Sequence, residues 1–217
     1  ESKISFSDGI FSLSIPVFVN NTGFYEITDL NVTTQMKDCD NKTVSISTSV
    51  VSTISPNSNI QCTHNITLNL KNLTGELLYL VFNDSIFYMH SSVALRFANV
   101  IPIQISTNAT MPWGAPFCNF SIEVYLNYAK RELTVPLSFE NHAFFGVNGT
   151  IRLEVYSINN EQISTAEVII ELPSGSKFED LVEMSVDPSK LTHEGQLHIF
   201  FETSMLSVGP IIESWVI

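Results

Sequence analysis

Helical periodicity is nearly absent from this chain, and alternation with a period of two takes its place. Phe11-Ser12-Leu13-Ser14-Ile15 alternates cleanly, which sends one set of side chains to each face of an extended strand. Comparable runs rich in Val, Ile, Thr, Phe and Tyr recur at 44–51, 66–70, 77–82, 93–105, 120–126, 133–139, 150–156, 166–172 and 197–201. Gly, Pro, Asn, Asp and Ser cluster between them, at 20–23, 38–41, 55–59 and 173–176. Short strands punctuated in this way predict an all-β chain of antiparallel β-sandwich type. Residues 177–184 read as a short helical turn.

The pattern also repeats. Leu13-Ser14-Ile15-Pro16-Val17 matches Leu133-Thr134-Val135-Pro136-Leu137 at an offset of 120 residues (133 − 13). The same offset lays Asn21 on Asn141, Phe24 on Phe144, Tyr25 on Phe145 and Ile27 on Val147. It also lays Gly75-Glu76-Leu77 on Gly195-Gln196-Leu197 and Leu80 on Phe200, and the Pro56 and Pro173 turns correspond within three residues. We therefore expect two tandem immunoglobulin/fibronectin-like sandwiches, residues 1–108 and 117–217, joined by a linker at 109–116. That linker holds two prolines and a glycine, which disfavour a central strand. Its Trp113, with Phe117 just beyond, either packs at the domain junction or forms a binding platform for a sugar or partner. Large aromatics in short linkers favour the junction.

Charge excludes several functions. There are 10 Lys+Arg against 22 Asp+Glu, a formal net charge of -12, so no basic patch exists for nucleic acid or an anionic membrane surface. Apolar residues make up 44%, enough for a core and too many for disorder. Charged residues make up only 15%, against about 25% usually. With few basic groups to repel one another once carboxylates protonate, the composition suits an acidic exterior. No apolar run approaches the ~20 residues of a membrane-spanning helix. The chain starts at Glu1, which leaves room for a removed signal or anchor.

Nine Asn residues open an N-x-Ser/Thr sequon: Asn20, Asn31, Asn41, Asn65, Asn72, Asn83, Asn108, Asn119 and Asn148. Ser and Thr make up 43 of 217 residues, so eighteen Asn should open about four by chance. The excess predicts N-glycosylation and a secretory, extracellular location. No sequon follows Asn148. The last third would then be bare and free to contact another subunit, its apolar end Pro210–Ile217 included.

In an oxidising compartment Cys39 and Cys62 are the favoured disulfide, worth roughly 3 kcal/mol of loop entropy. Cys118 would be left over; the alternative is three small buried hydrophobes with no bond.

Catalytic and metal motifs are absent. His193 and His198 are five apart with Gly195 between them, so they cannot share a metal from one helix as a zincin pair does. Asp38-Cys39-Asp40-Asn41 has the oxygen ligands calcium likes but not the 12-residue loop, and reads as an Asx turn. His64, His90 and His142 are scattered singles. There is no nucleophile elbow, phosphate loop or Cys/His pairing. No catalytic residue, metal site or cofactor is expected.

The segment "FSLSIPVFVNNTGFYEITDLNVTT" (Phe11–Thr34) resembles the opening of the water-stress-hypersensitive, late-embryogenesis-abundant-like β-sandwich. "LTVPLSFENHAFFGVNGTIRLEV" (Leu133–Val155) is a second, weaker copy that lacks a glycine at Glu140–Phe145. Tandem copies with many sequons and a Pro-Trp-Gly-Ala-Pro linker resemble glycosylated archaeal cell-surface ectodomains, which an N-terminal membrane segment tethers. The resemblance implies fold and location and supplies no catalytic motif. The expected function is non-catalytic: a glycosylated structural or interaction protein of an envelope, partnered by other surface subunits, copies of itself included. One alternative is a filament or S-layer subunit assembled by β-strand addition, which would show as a repeat whose sheet lacks an edge strand. The other is a carbohydrate- or apolar-ligand-binding module.

Overall fold

The computed structural model describes residues 2–127, 132–187, 189–190 and 192–216. The outer limits of the expected domains, Glu1 and Ile217, lie outside them. Two compact units result: residues 1–72 with 85–113, and residues 73–84 with 114–217.

The first unit contains β1 (Lys3–Ser7), β2 (Ile10–Asn21), β3 (Ile27–Lys37), β4 (Thr43–Ile54), β5 (Ser58–Asn69), β6 (Ser85–Phe97) and β7 (Ile101–Trp113). They form one antiparallel sheet in the order β1-β2-β5 and another in the order β4-β3-β6-β7. Alternation does what the sequence promises. Phe11 and Leu13 of β2 face inward, as do Leu30, Val32 and Met36 of β3, Ile66 and Leu68 of β5, and Phe87 of β6. Phe11 meets Trp113 edge-to-face across the two sheets, with centroids 6.3 Å apart.

The second unit contains β8 (Cys118–Ile122), β9 (Tyr125–Asn127), β10 (Glu132–Glu140), β11 (Val147–Ser157), β12 (Gln162–Leu172), β13 (Lys177–Ser185), β14 (Glu194–Thr203) and β15 (Ser207–Val216). Its sheets run β13-β10-β8, with β9 also on β10, and β12-β11-β14-β15. This is the strand order of the first unit, with β10 in the place of β2 and β11 in the place of β3. The core joins Leu133, Val135, Leu137 and Phe139 of β10 to Ile151, Leu153 and Val155 of β11 and Leu197, Ile199 and Phe201 of β14.

One buried side chain carries the duplication most clearly. Asn21 Nδ2 donates to the carbonyls of Tyr25, Ile54 and Ser55, while its Oδ1 accepts the Gly23 N–H. Asn141 Nδ2 donates to those of Phe145, Leu172 and Pro173, while its Oδ1 accepts the Ala143 N–H. Each amide closes the corner after its strand and ties it to the end of the facing hairpin, satisfying backbone groups that burial would otherwise orphan.

The downstream half of the sequence match fails. Gly75-Glu76-Leu77 opens a 3-10 helix, Gly75–Val81, whereas Gly195-Gln196-Leu197 lies in β14. The structural counterpart of β14 is β6, which starts beyond that helix. The run at 77–82 is therefore not a strand. Its Leu80 and Val81 are buried in the second unit, with the Val81 carbonyl accepting the Phe117 N–H. The run at 93–105 is a hairpin, turned where Ala98 and Asn99 adopt positive φ. Residues 177–184 form β13, paired with β10 along nine positions, so the helical reading is corrected. Too few residues were available there to separate a period of two from 3.6.

The domain limits shift as well. Residues 109–113 are not linker but the end of β7, where Pro112 is tolerated on an edge strand. The C-terminal segment 207–216 is β15, in register with β14, and its Trp215 is buried.

Candidate functional site

The strongest convergence of chemical groups lies in the second unit and draws on four places in the sequence. Asp84 follows the 3-10 helix. Cys118 opens β8. Glu140 closes β10 opposite Cys118 in the β8–β10 register. His142 follows the Asn141 corner, its N–H on the Ala115 carbonyl. That approach requires Gly114, because a Cβ there would stand 2.0 Å from the His142 carbonyl oxygen.

His142 is held at both ring nitrogens. Nδ1 lies 2.7 Å from Asp84 Oδ2, and Nε2 lies 2.8 Å from Glu140 Oε2. Asp84 Oδ1 accepts the Ala115 N–H at 2.8 Å, and Asn119 Nδ2 donates to Glu140 Oε2 at 3.3 Å. The bond to Asp84, then that to Glu140, raises the imidazole above its ordinary pKa. Burial pushes the Asp84 carboxyl up, but the Ala115 N–H and His142 outweigh it and hold it below the usual range. The bond from His142 likewise lowers Glu140. Burial, then the Asp84 charge, raises the Cys118 thiol.

Cysteine, histidine and aspartate side by side invite a nucleophilic reading, but the roles do not fit. A nucleophilic cysteine needs a lowered pKa and a base directed at its sulfur. Here the thiol sits against a carboxylate, and the imidazole has a carboxylate at each nitrogen. What the group does offer is a mixed donor set. One ligand atom each from Asp84, Cys118 and His142 lies within 4.8 Å of the others. Asp84 and Cys118 also line an open recess of about 440 Å3 with Phe82, Asn83, Asn119, Phe120 and Ile211. Sequence reasoning treated His142 as an isolated turn residue and expected no metal ligands. No local spacing announces a site assembled from a loop, two strand ends and a corner.

The other expected sites fall as follows. Cys39 and Cys62 form no disulfide, which corrects the sequence expectation. Cys39 lies in the β3–β4 turn. Cys62 stands opposite Val17 on the other sheet, just past the turn at the opposite end of β4. A twelve-residue strand at about 3.3 Å per residue separates those ends far beyond disulfide reach. Cys118 is buried. The Asp38–Asn41 segment is the Asx turn, Asp38 Oδ1 accepting the N–H groups of Asp40 and Lys42. His193 precedes β14, and His198 lies on its outer face against the Tyr156 ring. His90 bonds Asn108, and buried His64 lies between the hydroxyls of Ser49 and Thr34.

Trp113 and Phe117 form no exposed platform. Trp113 is 3% exposed in the first unit's core, against Phe11 and Phe87. Phe117 is 0% exposed in the second, among Phe82, Phe139 and Phe201.

The sequons behave differently. Asn20, Asn41, Asn65, Asn72, Asn83, Asn108, Asn119 and Asn148 are exposed, and Asn31 is half-buried. The buried asparagines among the described residues, Asn21 and Asn141, open no sequon. Six sequons belong to the first unit and three to the second.

The units also differ at one sheet edge. β9 and β8 together flank β10, pairing with Glu132–Thr134 and with Leu137, Ser138 and Glu140. In the first unit β1 pairs with Ile10–Ser14 of β2, the counterpart of β9. No described strand takes the place of β8, so the edge of β2 from Ile15 to Asn21 is open, with Phe18 69% exposed.

No protein-family model matches the chain, and no curated protein does. Solved structures do. A red sea bream transglutaminase shares 14% identity at a TM-score of 0.39, over 100% of this chain and 31% of its own. A Bacteroides uniformis β-glucuronidase shares 11% at 0.36, over 96% and 26%. A β-galacturonidase from Eisenbergiella tayi shares 11% at 0.35, over 98% and 36%. The chain thus spans about a third or less of these proteins. At such scores the likenesses carry no argument about its activity.

Proposed function

We propose that this chain is a non-catalytic, N-glycosylated structural or interaction protein of a cell surface or envelope. The observation that carries the reading is the placement of the sequons. All nine asparagines reach solvent, eight of them exposed and Asn31 half-buried, while the buried structural asparagines are those outside sequons. Glycan attachment needs that accessibility and a secretory route. The low charge and the resemblance to archaeal surface ectodomains belong to the same reading, as does an acidic exterior. Intact-mass spectrometry of native material tests it: several glycan increments are expected, and an unmodified mass would remove its main support.

The open edge of β2 favours a more specific form of that role, assembly by β-strand addition. A strand from a neighbouring copy would run antiparallel to β2 along Ile15–Asn21, as β8 runs along β10. The exposed apolar face of β7, with Ile101, Ile103 and Ile105, enlarges the interaction surface of the same unit. Light scattering over a concentration series should show association. A monomer at every concentration would exclude this form while leaving the glycoprotein reading intact.

A further inference from the structure

We propose that Asp84, Cys118 and His142 form a binding site for one divalent transition-metal ion, zinc being the ion whose chemistry fits the donors best. The inference does not rest on the glycoprotein reading, although two sequon residues, Asn83 and Asn119, line the recess beside the site. Zinc takes thiolate sulfur at about 2.3 Å and imidazole nitrogen or carboxylate oxygen at about 2.0–2.2 Å, in a tetrahedron. Its ligand atoms then stand roughly 3.3–3.7 Å apart. The three candidate atoms already lie within 4.8 Å of one another, and His142 Nδ1 and Asp84 Oδ2, 2.7 Å apart, would part slightly to admit the ion, so side-chain shifts alone would form the site.

Three features go beyond the proximity of the donors. First, the orientation of His142 suits ligation. Its Nε2 lies 2.8 Å from Glu140 Oε2, and with the ring proton on Nε2 the Nδ1 lone pair points at Asp84. A carboxylate on the far nitrogen is the usual partner of a metal-binding histidine. Asn119 holds that carboxylate in turn. Second, the backbone is built around the cluster. The Ala115 N–H fixes Asp84 Oδ1, the Ala115 carbonyl fixes the His142 N–H, and Gly114 lets the two segments approach. This leaves Asp84 Oδ2 as the oxygen facing the imidazole. Third, the recess beside Asp84 and Cys118 gives an ion a way in and gives water room for the fourth position.

Cobalt(II) titration of the chelator-treated full chain tests the site, because a cobalt–thiolate bond gives a near-ultraviolet charge-transfer band. Cys39→Ser and Cys62→Ser are introduced first, so that Cys118 is the sole thiol. We expect one equivalent of cobalt to produce the band and one equivalent of zinc to abolish it. Glu140→Gln leaves all three ligands in place and should weaken binding by roughly 10–100-fold. Cys118→Ser, checked for native circular dichroism, should remove the band and weaken zinc binding at least tenfold by calorimetry. A titration without a thiolate band overturns the proposal. So does zinc affinity unchanged in both Cys118→Ser and His142→Gln.

Discussion

The two units share a topology and an asparagine corner, yet they differ in how one sheet is finished. In the second, β8 covers the edge of β10, and the residue before it, Phe117, drops into the core beside Phe139 and Phe201. In the first, no described strand pairs with the matching edge of β2. One repeat is thus completed from within its own chain, and the other presents the position that completion would occupy. The duplicate itself shows what fits: a short antiparallel strand led by a large aromatic.

The largest effect should come from removing that aromatic. Phe117→Ala deletes a fully buried ring, and such truncations cost about 3–5 kcal/mol. Urea unfolding should show the second unit melting early while the first keeps its midpoint. Equal loss in both units would mean that they do not fold separately, and the contrast between them would fail.

The asparagine corners come next. Asn141→Ala would leave three carbonyls and the Ala143 N–H without their partner, at about 1–3 kcal/mol for each group that water cannot reach. We expect a loss of about 3 kcal/mol. Asn21→Ala should lose less, about 2 kcal/mol, because three of its four bonds are only partly buried, against one of four at Asn141. The reverse order in denaturant titrations would show that burial does not set the strength of the corner.

These corners were legible in part. The sequence aligned Asn21 with Asn141 and Tyr25 with Phe145, because side chains that close a corner sit at fixed distances from their strand. The Gly75 and Gly195 alignment misled, because two short glycine-led apolar runs look alike whether they form a 3-10 turn or a strand. The exposure of the sequon asparagines has a different basis: solvent exposure is the usual state of a polar strand or turn position. The Asp84–Cys118–His142 group was illegible. Each residue alone is unremarked, and only the pairing of β8 with β10 and the insertion of residues 73–84 into the second unit bring them together.

A smaller, pH-dependent effect distinguishes the histidines of the two units. Burial lowers the pKa of His64, in the first unit, from 6.5. The folded state therefore resists a proton that the unfolded chain accepts. Its contribution is complete above the unfolded value of 6.5 and is lost as pH falls below that, toward the lowered folded value. Stability measured from pH 7.5 downward should begin to fall near 6.5, and His64→Gln should flatten that limb. If the limb persists in the variant, His64 is not its source. The result also bears on an acidic habitat, since a buried neutral histidine works against it.

The smallest effect on stability belongs to the bare edge itself, and it discriminates most sharply between the units. The Pro136 carbonyl accepts the Glu123 N–H just beyond β8, so the backbone groups of Pro136 point to the edge that β8 covers. By the repeat, those of Pro16 and Phe18 point to the open edge of β2. Phe18→Pro would then remove an N–H that no described strand uses and spare the ladder to β5. Folding stability should change by about 0.5 kcal/mol or less, as for an ordinary surface substitution. Strand addition needs that N–H, so light scattering should show association abolished in Phe18→Pro and retained in Phe18→Thr. The same change at Ser138, whose position β8 covers, should destabilise the second unit. If Phe18→Pro unfolds the first unit instead, its edge is already in use and the two repeats are finished alike.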